Sequence, residues 1–303
     1  MTRRSPLPSA LRTRPFTVAE AIGAGIAPSR LFGTDLSRPF HGVRVDSRFP
    51  EDLGSRCAAL AVRLRPEHFF SHTTAARLHG LPLPLQLQRA VELHVSSFAP
   101  VRPPRVGGVV GHAANRARAT IVEWNGLRVV SAALAWCQLS PELTLDQLIL
   151  AGDRLLGRPQ PIATRREIAE AMEAYGQSPG CRKLRTAVSL IRERVESPRE
   201  TMLRLALVRA GLPEPEVNAT IVDARGRTIA IGDLVYPAAK VLVEYDGEQH
   251  RTNDRKYARD VVRLNNIAAE GWLTIRVDKH TTIEDACARA RSALFARGGL
   301  RSD

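Results

Sequence analysis

The alternation of apolar and polar positions predicts a compact α/β domain in the last third of the chain. Helical periods and two-residue periods follow one another in the order helix, three strands, helix, strand. These elements are predicted at 198–210, 217–222, 228–235, 241–245, 253–269 and 273–277. Three strands joined by short turns form an antiparallel meander, and a helical crossover places the fourth strand parallel to its neighbour. The pattern therefore predicts an αβββαβ domain.

The start of the chain has the pattern of two short helices joined by a turn. Thr17 is predicted to cap a helix over 18–24, Gly25 to form the turn, and 28–32 to form a second helix before a strand at 42–45. This order is typical of a winged helix-turn-helix. The candidate DNA contacts are Arg30, Arg38 and Arg44. A small helical packing unit with solvated arginines explains the same pattern.

Mixed helix and strand patterns continue through the middle of the chain. A capped helix follows Ser71, the segment AVELHVSS alternates like a strand, and helical patterns cover 131–140 and 143–156. The whole chain is thus expected to be an α+β protein. Its predicted parts are a winged helix-turn-helix-like domain at 1–64, a mixed α/β domain at 65–158, a helical connector at 159–196 and the αβββαβ domain at 197–303.

Four histidines of the middle part raise the question of a metal site. His72 and His79 lie seven residues apart and share a helix face, His94 lies in a predicted strand and His112 in a predicted loop. No carboxylate or cysteine occurs at ligand spacing beside them. Helix capping and core packing are therefore the favoured interpretation, and a metal site the weaker one.

Composition indicates a globular protein of more than one domain. The chain has 303 residues, 44% of them hydrophobic, and no apolar run near the ~20 residues of a membrane span. No apolar segment follows the basic N-terminus, so a cytoplasmic location is expected. The four cysteines are far apart, which disfavours both a zinc module and a disulfide framework.

The net charge of +13 indicates a polyanionic partner such as DNA. Only four of the 44 basic residues are lysines, and such an arginine bias can also reflect genome base composition. Residues 197–303 contain 17 basic and 15 acidic residues, so +11 of the net charge lies in residues 1–196. The N-terminal part therefore carries the electrostatic attraction.

Two carboxylates mark a candidate metal site in the αβββαβ domain. Asp233 is predicted to end the second strand and Glu244 the third, one short turn apart, so that their side chains converge. Such a pair suits Mg²⁺ or Mn²⁺, which take oxygen ligands and complete their shell with water and substrate phosphate. Alternation over 240–246 adds Asp246 to the same face as Glu244. The repulsion among these acids is relieved by a cation.

Further candidates surround this acidic pair. His250 follows the third strand and is placed to transfer a proton, and Glu200 lies in the first helix of the domain. Arg255, Arg259 and Arg263 recur on one helix face, a spacing suited to phosphate contacts.

Structural roles explain each of these candidates as well. Glu200 completes a capping box with Ser197, and Asp233 and Glu244 can be solvated strand ends or ion-pair partners. Asp246 can belong to a turn, His250 to a surface loop, and the arginine stripe to a solvated helix face.

The segments SPRETMLRLAL, GDLVYPAAKVLVEYDGEQH, ARDVVRLNNIAAEGW and LTIRV resemble the DUF559 group of the PD-(D/E)XK nuclease superfamily, which is related to Vsr-type mismatch endonucleases. The resemblance implies that Asp233 and Glu244 are metal-binding acids and that Glu200 is the acid of the first helix. Asp246 occupies the position usually held by lysine, which is a departure from the pattern. Vsr-like members also lack that lysine and use histidine, which points to His250.

The N-terminal half resembles a different family. The segments FTVAEAIGAG, SHTTAARLHGLPLP and LDQLILAGDRLL are similar to AbiEi-type antitoxins, which are DNA-binding autoregulators paired with a toxin. The function expected from both resemblances is a Mg²⁺-dependent or Mn²⁺-dependent DNA endonuclease with an N-terminal DNA-binding module. A non-catalytic antitoxin-like regulator with a degenerate nuclease fold and a possible cognate toxin is the alternative. RNA also stays open as the substrate, because backbone contacts read phosphate in both nucleic acids.

Overall fold

The computed structural model describes residues 6–246 and 254–300, except for the side chains of 254–259. Within these residues the chain is a mixed α/β protein with three sheets. The α-helices are α1 Ser9–Arg12, α2 Val18–Gly23, α3 Leu53–Ala61, α4 His72–Leu78, α5 Leu85–Gln88, α6 Ala132–Gln138, α7 Leu145–Leu156, α8 Arg165–Tyr175, α9 Cys181–Leu190, α10 Pro198–Arg209, α11 Asp254–Ala269 and α12 Ile283–Ala296. Short 3-10 helices occur at Pro28–Phe32, Arg116–Arg118 and Pro237–Ala239.

The strands form one sheet in each of three successive regions of the chain. They are β1 Phe16–Thr17, β2 Leu36–Ser37, β3 Val43–Asp46, β4 His68–Phe70, β5 Leu93–Phe98, β6 Val109–Ala114, β7 Ile121–Trp124, β8 Leu127–Val130, β9 Glu216–Val222, β10 Thr228–Tyr236, β11 Val241–Tyr245 and β12 Leu273–Val277. The sheet orders are β1-β3-β2, β6-β5-β4-β8-β7 and β12-β11-β10-β9. No helix in the described part of the chain is long and apolar enough to cross a membrane.

The chain divides into two compact units. One comprises the residues up to Leu143 together with Arg165–Leu184, and the other comprises Thr144–Thr164 together with the residues from Arg185 onward. Helix α7, which the sequence pattern joins to the middle domain, thus belongs with the C-terminal sheet.

The first 64 residues contain the predicted helix, second helical turn and strand in that order, and also α1, β1, β2 and α3, which the pattern did not predict. The Thr17 hydroxyl accepts a hydrogen bond from the Glu20 amide at 3.1 Å and caps α2. The second predicted helix is a 3-10 helix, in which Leu31 is buried in a small core with Phe16 and Ala21. The predicted wing residues lie in β3, the central strand of this sheet.

The C-terminal sheet has the predicted topology. Strands β9, β10 and β11 are antiparallel neighbours, and β12 pairs with β11 in parallel after the α11 crossover. Strand β11 is buried on both faces: Val243 lies in the core on one side, and Leu242 packs with Ile267 of α11 on the other. Helix α12, which the periodicity did not predict, covers the first face with Ala290 and Leu294.

A buried ion pair joins α7 to α10 inside the C-terminal unit. The Asp153 carboxylate accepts hydrogen bonds from Arg204 at 3.0 Å, from the Thr201 hydroxyl at 2.8 Å and from the Arg192 amide at 2.6 Å. The side chains of Asp153 and Arg204 are each 1% exposed. Among the described residues, Arg204 keeps only the partly exposed Glu214 as an acidic partner when Asp153 is removed, so the buried pair with Asp153 holds α7 against α10.

Candidate functional site

Asp233 lies inside strand β10 and not at its end. It was predicted to end the strand, and that prediction is wrong, because Leu234 and the next two residues continue the pairing with β11. The preceding Gly232 packs against the neighbouring strand: a Cβ there would lie 2.4 Å from Leu242 Cδ1. The missing side chain at Gly232 thus leaves room for the Leu242 side chain of β11.

The register of the sheet places three polar residues in one row. Gly232 pairs with Ala219 and Leu234 with Val217, so Asn218 of β9 lies opposite Asp233. Leu234 also pairs with Val243 of β11, and extending this register by one residue places Glu244 opposite Asp233 on its other side. Like charges directly opposite one another in a sheet are destabilising.

The environment of Asp233 favours its protonated form. The pKa of Asp233 is raised to about 7, mainly by burial and additionally by the charges of Glu200 and Glu244, against the opposing effect of a hydrogen bond and of Arg263. That hydrogen bond is donated by the Tyr245 amide to Oδ2 at 2.9 Å. The structure therefore brings three predicted site carboxylates within electrostatic reach of one another.

Glu200 was predicted either to complete a capping box or to be a site acid, and the structure shows one half of the capping box. The Ser197 hydroxyl accepts a hydrogen bond from the Glu200 amide at 3.3 Å, which is one half of the predicted capping box. The Glu200 carboxylate is buried and reaches past the cap residue, where Oε2 accepts hydrogen bonds from the Glu196 amide at 3.0 Å and from Asn218 Nδ2 at 2.7 Å. Asn218 adopts a left-handed φ of 45° inside its strand, and such strain is frequent near functional sites.

Acids and arginines alternate along the edge of the site next to α11. Glu244 accepts two hydrogen bonds from Arg263, at 2.6 and 2.9 Å. The same guanidinium binds Asp260 at 2.9 Å. Arg276 lies 3.6 Å from Asp260 and 2.7 Å from Asp246. Charge pairing with Glu244 raises the pKa of Arg263, so this arginine stays charged.

The candidate acids thus differ in how their charge is balanced. Glu244 and Asp246 each have an arginine partner, whereas Asp233 has a pKa raised to about 7 and accepts a hydrogen bond from the Tyr245 amide. Among the described residues, the carboxylate oxygens of Asp233, Glu244 and Asp246 do not all lie as close to one another as the ligand atoms of a metal site. Because both oxygens of Glu244 accept hydrogen bonds from Arg263, a cation bound by Glu244 would compete with this guanidinium.

The remaining predicted site residues are placed only in part. His250 lies outside the described residues, and so do the side chains of Arg255 and Arg259. Arg263 is placed, with its guanidinium on Glu244 and Asp260.

The three arginines predicted to contact DNA near the N-terminus all have partners within their own unit. Arg30 makes two hydrogen bonds to Asp35, at 3.0 and 2.6 Å. Arg44 is buried and donates to the Leu31 carbonyl at 2.8 Å. Arg38 is exposed and lies 5.0 Å from the ring centre of Phe32. Arg38 is therefore the most accessible of these three guanidinium groups.

A basic cleft in the N-terminal unit was not predicted. Its volume is about 590 Å³, and four exposed arginines are among the residues that line it. These are Arg63, Arg65, Arg102 and Arg105. The only local signal in the sequence is the run VRPPRVGG, which contains Arg102 and Arg105. Arg63 and Arg65 lie nearly 40 residues earlier and line the same cleft only in the folded chain.

Three histidines also meet in the N-terminal unit, although the sequence favoured structural roles for them. One ring nitrogen from each of His72, His94 and His112 lies within 4.8 Å of the others. His79 is elsewhere, with Nε2 at 2.8 Å from the Val130 carbonyl oxygen. His112 was expected in a loop, but Val109–Ala114 forms an edge strand parallel to β5. Only this pairing brings His112 beside His94.

Comparison with known proteins finds two similar chains, both from Mycobacterium tuberculosis. They are the uncharacterized protein Rv2248 of strain ATCC 25618 / H37Rv and the uncharacterized protein MT2308 of strain CDC 1551 / Oshkosh. Each is 26% identical over 242 residues, which cover 80% of this chain and 85% of the relative. No protein-family model matches the chain, and no solved structure matches it either. Neither relative's name states an activity.

Proposed function

We propose that the C-terminal unit is a metal-dependent DNA endonuclease that hydrolyses phosphodiester bonds. The observation that carries this proposal is the convergence of Glu200, Asp233 and Glu244 from one helix and two strands, close enough for the charges of the other two to raise the pKa of Asp233. Arg263 offsets part of this repulsion through its hydrogen bonds to Glu244. A divalent cation offsets it more fully, because its double charge is shared by several carboxylates.

The donor chemistry of this cluster fits Mg²⁺ or Mn²⁺. Carboxylate oxygens are the ligands that these cations prefer. Asp233 and Glu244 would hold the ion, and Asp246 and Glu200 would assist. The bound ion would polarise the scissile phosphate and lower the pKa of an attacking water.

The other residues of the site orient these acids and balance their charge. The Tyr245 amide holds Asp233 Oδ2, and Asn218 holds the Glu200 carboxylate. Arg263 neutralises Glu244 and becomes available to a phosphate when Glu244 binds a cation. Proton transfer is proposed for His250 from the sequence alone.

Attraction of DNA is proposed for the N-terminal part of the chain. That part carries +11 of the net charge of +13, and its basic cleft is lined by four arginines. Arginine binds phosphate through planar, paired hydrogen bonds and does so without reading sequence. The basic cleft would therefore position the backbone of a duplex or of a single strand.

Cleavage of supercoiled plasmid tests the proposal. The full chain is incubated with EDTA, Mg²⁺ or Mn²⁺, beside the variants Asp233→Asn and Glu244→Gln. Nicking is expected only with a divalent cation, and each variant is expected to lose at least 100-fold in rate. Asp285→Asn is the matched control, because Asp285 is an acid of α12 whose side chain is 45% exposed. If Asp233→Asn cleaves the plasmid with metal at the wild-type rate, Asp233 is not a metal ligand of a nuclease site.

A non-catalytic DNA-binding regulator is the second candidate. The observation that favours it is the pairing of Glu244 with Arg263 and of Asp246 with Arg276, which neutralises two of the acids without a metal. Under this alternative the full chain binds DNA but does not cleave it with any divalent cation. A gel-shift assay run beside the plasmid assay separates the two functions.

A further inference from the structure

Three histidines from different elements converge in the N-terminal unit. His72 begins α4, His94 lies in β5 and His112 lies in β6. His94 Nδ1 and His112 Nε2 are 3.0 Å apart, and the rings of His72 and His112 stack with their centres 3.8 Å apart. All three side chains are partly buried, so the cluster borders solvent.

The two strand histidines are aligned by the register of a parallel pair. His94 pairs with Val110, and His112 pairs with Ser96. The two histidines are therefore offset by two residues along the strands and project from the same face of the sheet. The backbone at His94 is held by a hydrogen bond from its amide to the Thr74 hydroxyl at 2.8 Å. Helix α4 thus holds one of the two strands and also carries the third histidine.

His72 is held in place by a set of buried polar groups. Its amide donates to Gln138 Oε1 at 2.8 Å, and its φ of 49° is left-handed, which is uncommon for a residue other than glycine. Its Nδ1 lies 3.0 Å from the Ser71 hydroxyl, which also accepts a hydrogen bond from Ser96 at 2.7 Å. With Nδ1 engaged by Ser71, Nε2 is the nitrogen left for another partner.

We propose that His72, His94 and His112 form a binding site for one divalent cation of the zinc class, with three imidazole ligands. Imidazole nitrogen suits Zn²⁺, Co²⁺, Ni²⁺ and Cu²⁺, whereas Mg²⁺ and Ca²⁺ select oxygen. An ion about 2 Å from each nitrogen needs nitrogens within about 4 Å of one another. Small side-chain rotations therefore suffice to convert the observed cluster into a coordinated one.

The surroundings of the cluster match those of metal-ligating histidines. Such histidines commonly use their second ring nitrogen for a hydrogen bond that fixes the orientation of the ring, and Ser71 provides this bond for His72. Burial lowers the pKa of His72 to about 3 and that of His94 to about 4. Neutral imidazole is the form that binds a metal.

The set of three ligands leaves a coordination position for a small molecule. Sites with three protein ligands usually keep a water or a substrate atom in the fourth position, and closed structural sites use four ligands. We therefore assign the open position of this site to water or to a small anion. This site is separate from the acidic site and differs from it in the class of metal that it selects.

Metal titration of the full chain tests the assignment. The protein is stripped with a chelator, dialysed against Co²⁺ or Zn²⁺ and analysed by elemental mass spectrometry and visible absorption. One equivalent of Co²⁺ with intense absorption bands is expected for the wild type. His94→Gln and His112→Gln are expected to weaken Co²⁺ binding at least 100-fold. His41→Gln is the matched control, because His41 is exposed and lies outside the cluster.

A milder variant keeps the test valid if a histidine substitution prevents folding. Ser71 makes no capping hydrogen bond to α4, so Ser71→Ala leaves the helix cap unchanged and removes only the hydroxyl that contacts His72 and accepts from Ser96. A loss of 10-fold to 100-fold in Co²⁺ affinity is expected from this change. Absence of stoichiometric Co²⁺ or Zn²⁺ from the wild type overturns the proposal. Unchanged binding by the His94→Gln, His112→Gln double variant also overturns it.

Discussion

Arg263 of α11 binds both carboxylate oxygens of Glu244 in the neighbouring strand β11, with N–O distances of 2.6 and 2.9 Å. The Glu244 side chain is 9% exposed and that of Arg263 is 29% exposed. The pair is therefore partly shielded from water and holds the helix against the sheet. The same carboxylate is a proposed metal ligand, so a cation and Arg263 compete for it.

Replacement of Arg263 by methionine tests this competition. In EDTA, Arg263→Met is expected to lower the free energy of unfolding by about 1–3 kcal/mol, because Glu244 loses its partner in a partly buried site. Mg²⁺ is expected to raise the melting temperature of this variant more than that of the wild type. Arg289→Met is the control, since the Arg289–Asp285 pair is about half exposed. An equal response to Mg²⁺ in all three proteins would contradict the competition.

The raised pKa of Asp233 predicts a pH dependence of stability in metal-free buffer. The pKa is about 7 in the folded chain and about 3.9 in an unfolded one. The stability contributed by the proton is therefore complete below about pH 4 and is lost as the pH rises through 7. Because an asparagine side chain does not titrate, the Asp233→Asn variant is expected to lose less stability between pH 5 and pH 8.

Urea denaturation at pH 5 and pH 8 measures this difference. The expected gap between wild type and Asp233→Asn is on the order of 2 kcal/mol, after discounting for solvent screening at a partly exposed group. Asp285→Asn should follow the wild type. If the wild type and Asp233→Asn change in parallel between the two pH values, Asp233 does not titrate in this range.

Two ion pairs between α7 and α10 give a matched test of burial. Asp153→Asn is expected to destabilise the protein by about 3 kcal/mol, because Arg204 is 1% exposed and keeps only the partly exposed Glu214 as an acidic partner in the described part of the chain. Asp146→Asn breaks the pair with Arg209, whose side chains are about half exposed, and is expected to cost about 1 kcal/mol or less. Urea denaturation of both variants is the measurement. Equal costs would show that the buried pair does not tie α7 to the C-terminal unit.

The basic cleft predicts how DNA binding depends on salt. Arg102→Ala and Arg105→Ala are each expected to weaken binding of duplexes of unrelated sequence to a similar degree. Each is also expected to reduce the slope of log K against log salt by about 0.9. Arg166→Ala is the control, because Arg166 lies on an exposed face of α8 outside the basic cleft. An unchanged slope in both cleft variants would show that residues outside the basic cleft contact the phosphates.

Local pattern alone determined most of the C-terminal elements. The predicted bounds of β11 and β12 agree with the structure residue for residue, and those of α10, β9 and β10 differ by one residue at most. Side-chain period and capping act over a few residues, and these are visible in the sequence. The antiparallel order with a parallel fourth strand was also predictable, because short turns and a helical crossover leave few alternatives.

What only the tertiary structure decided is which side chains meet. Asp233 and Glu244 were proposed as a pair from the sequence, but the pairing of Glu244 with Arg263 of α11 was not. His94 and His112 meet through the pairing of β5 with β6, and Asp153 of α7 pairs with Arg204 of α10. Such contacts depend on strand register and on burial between residues far apart in the chain, and no local period encodes either of them.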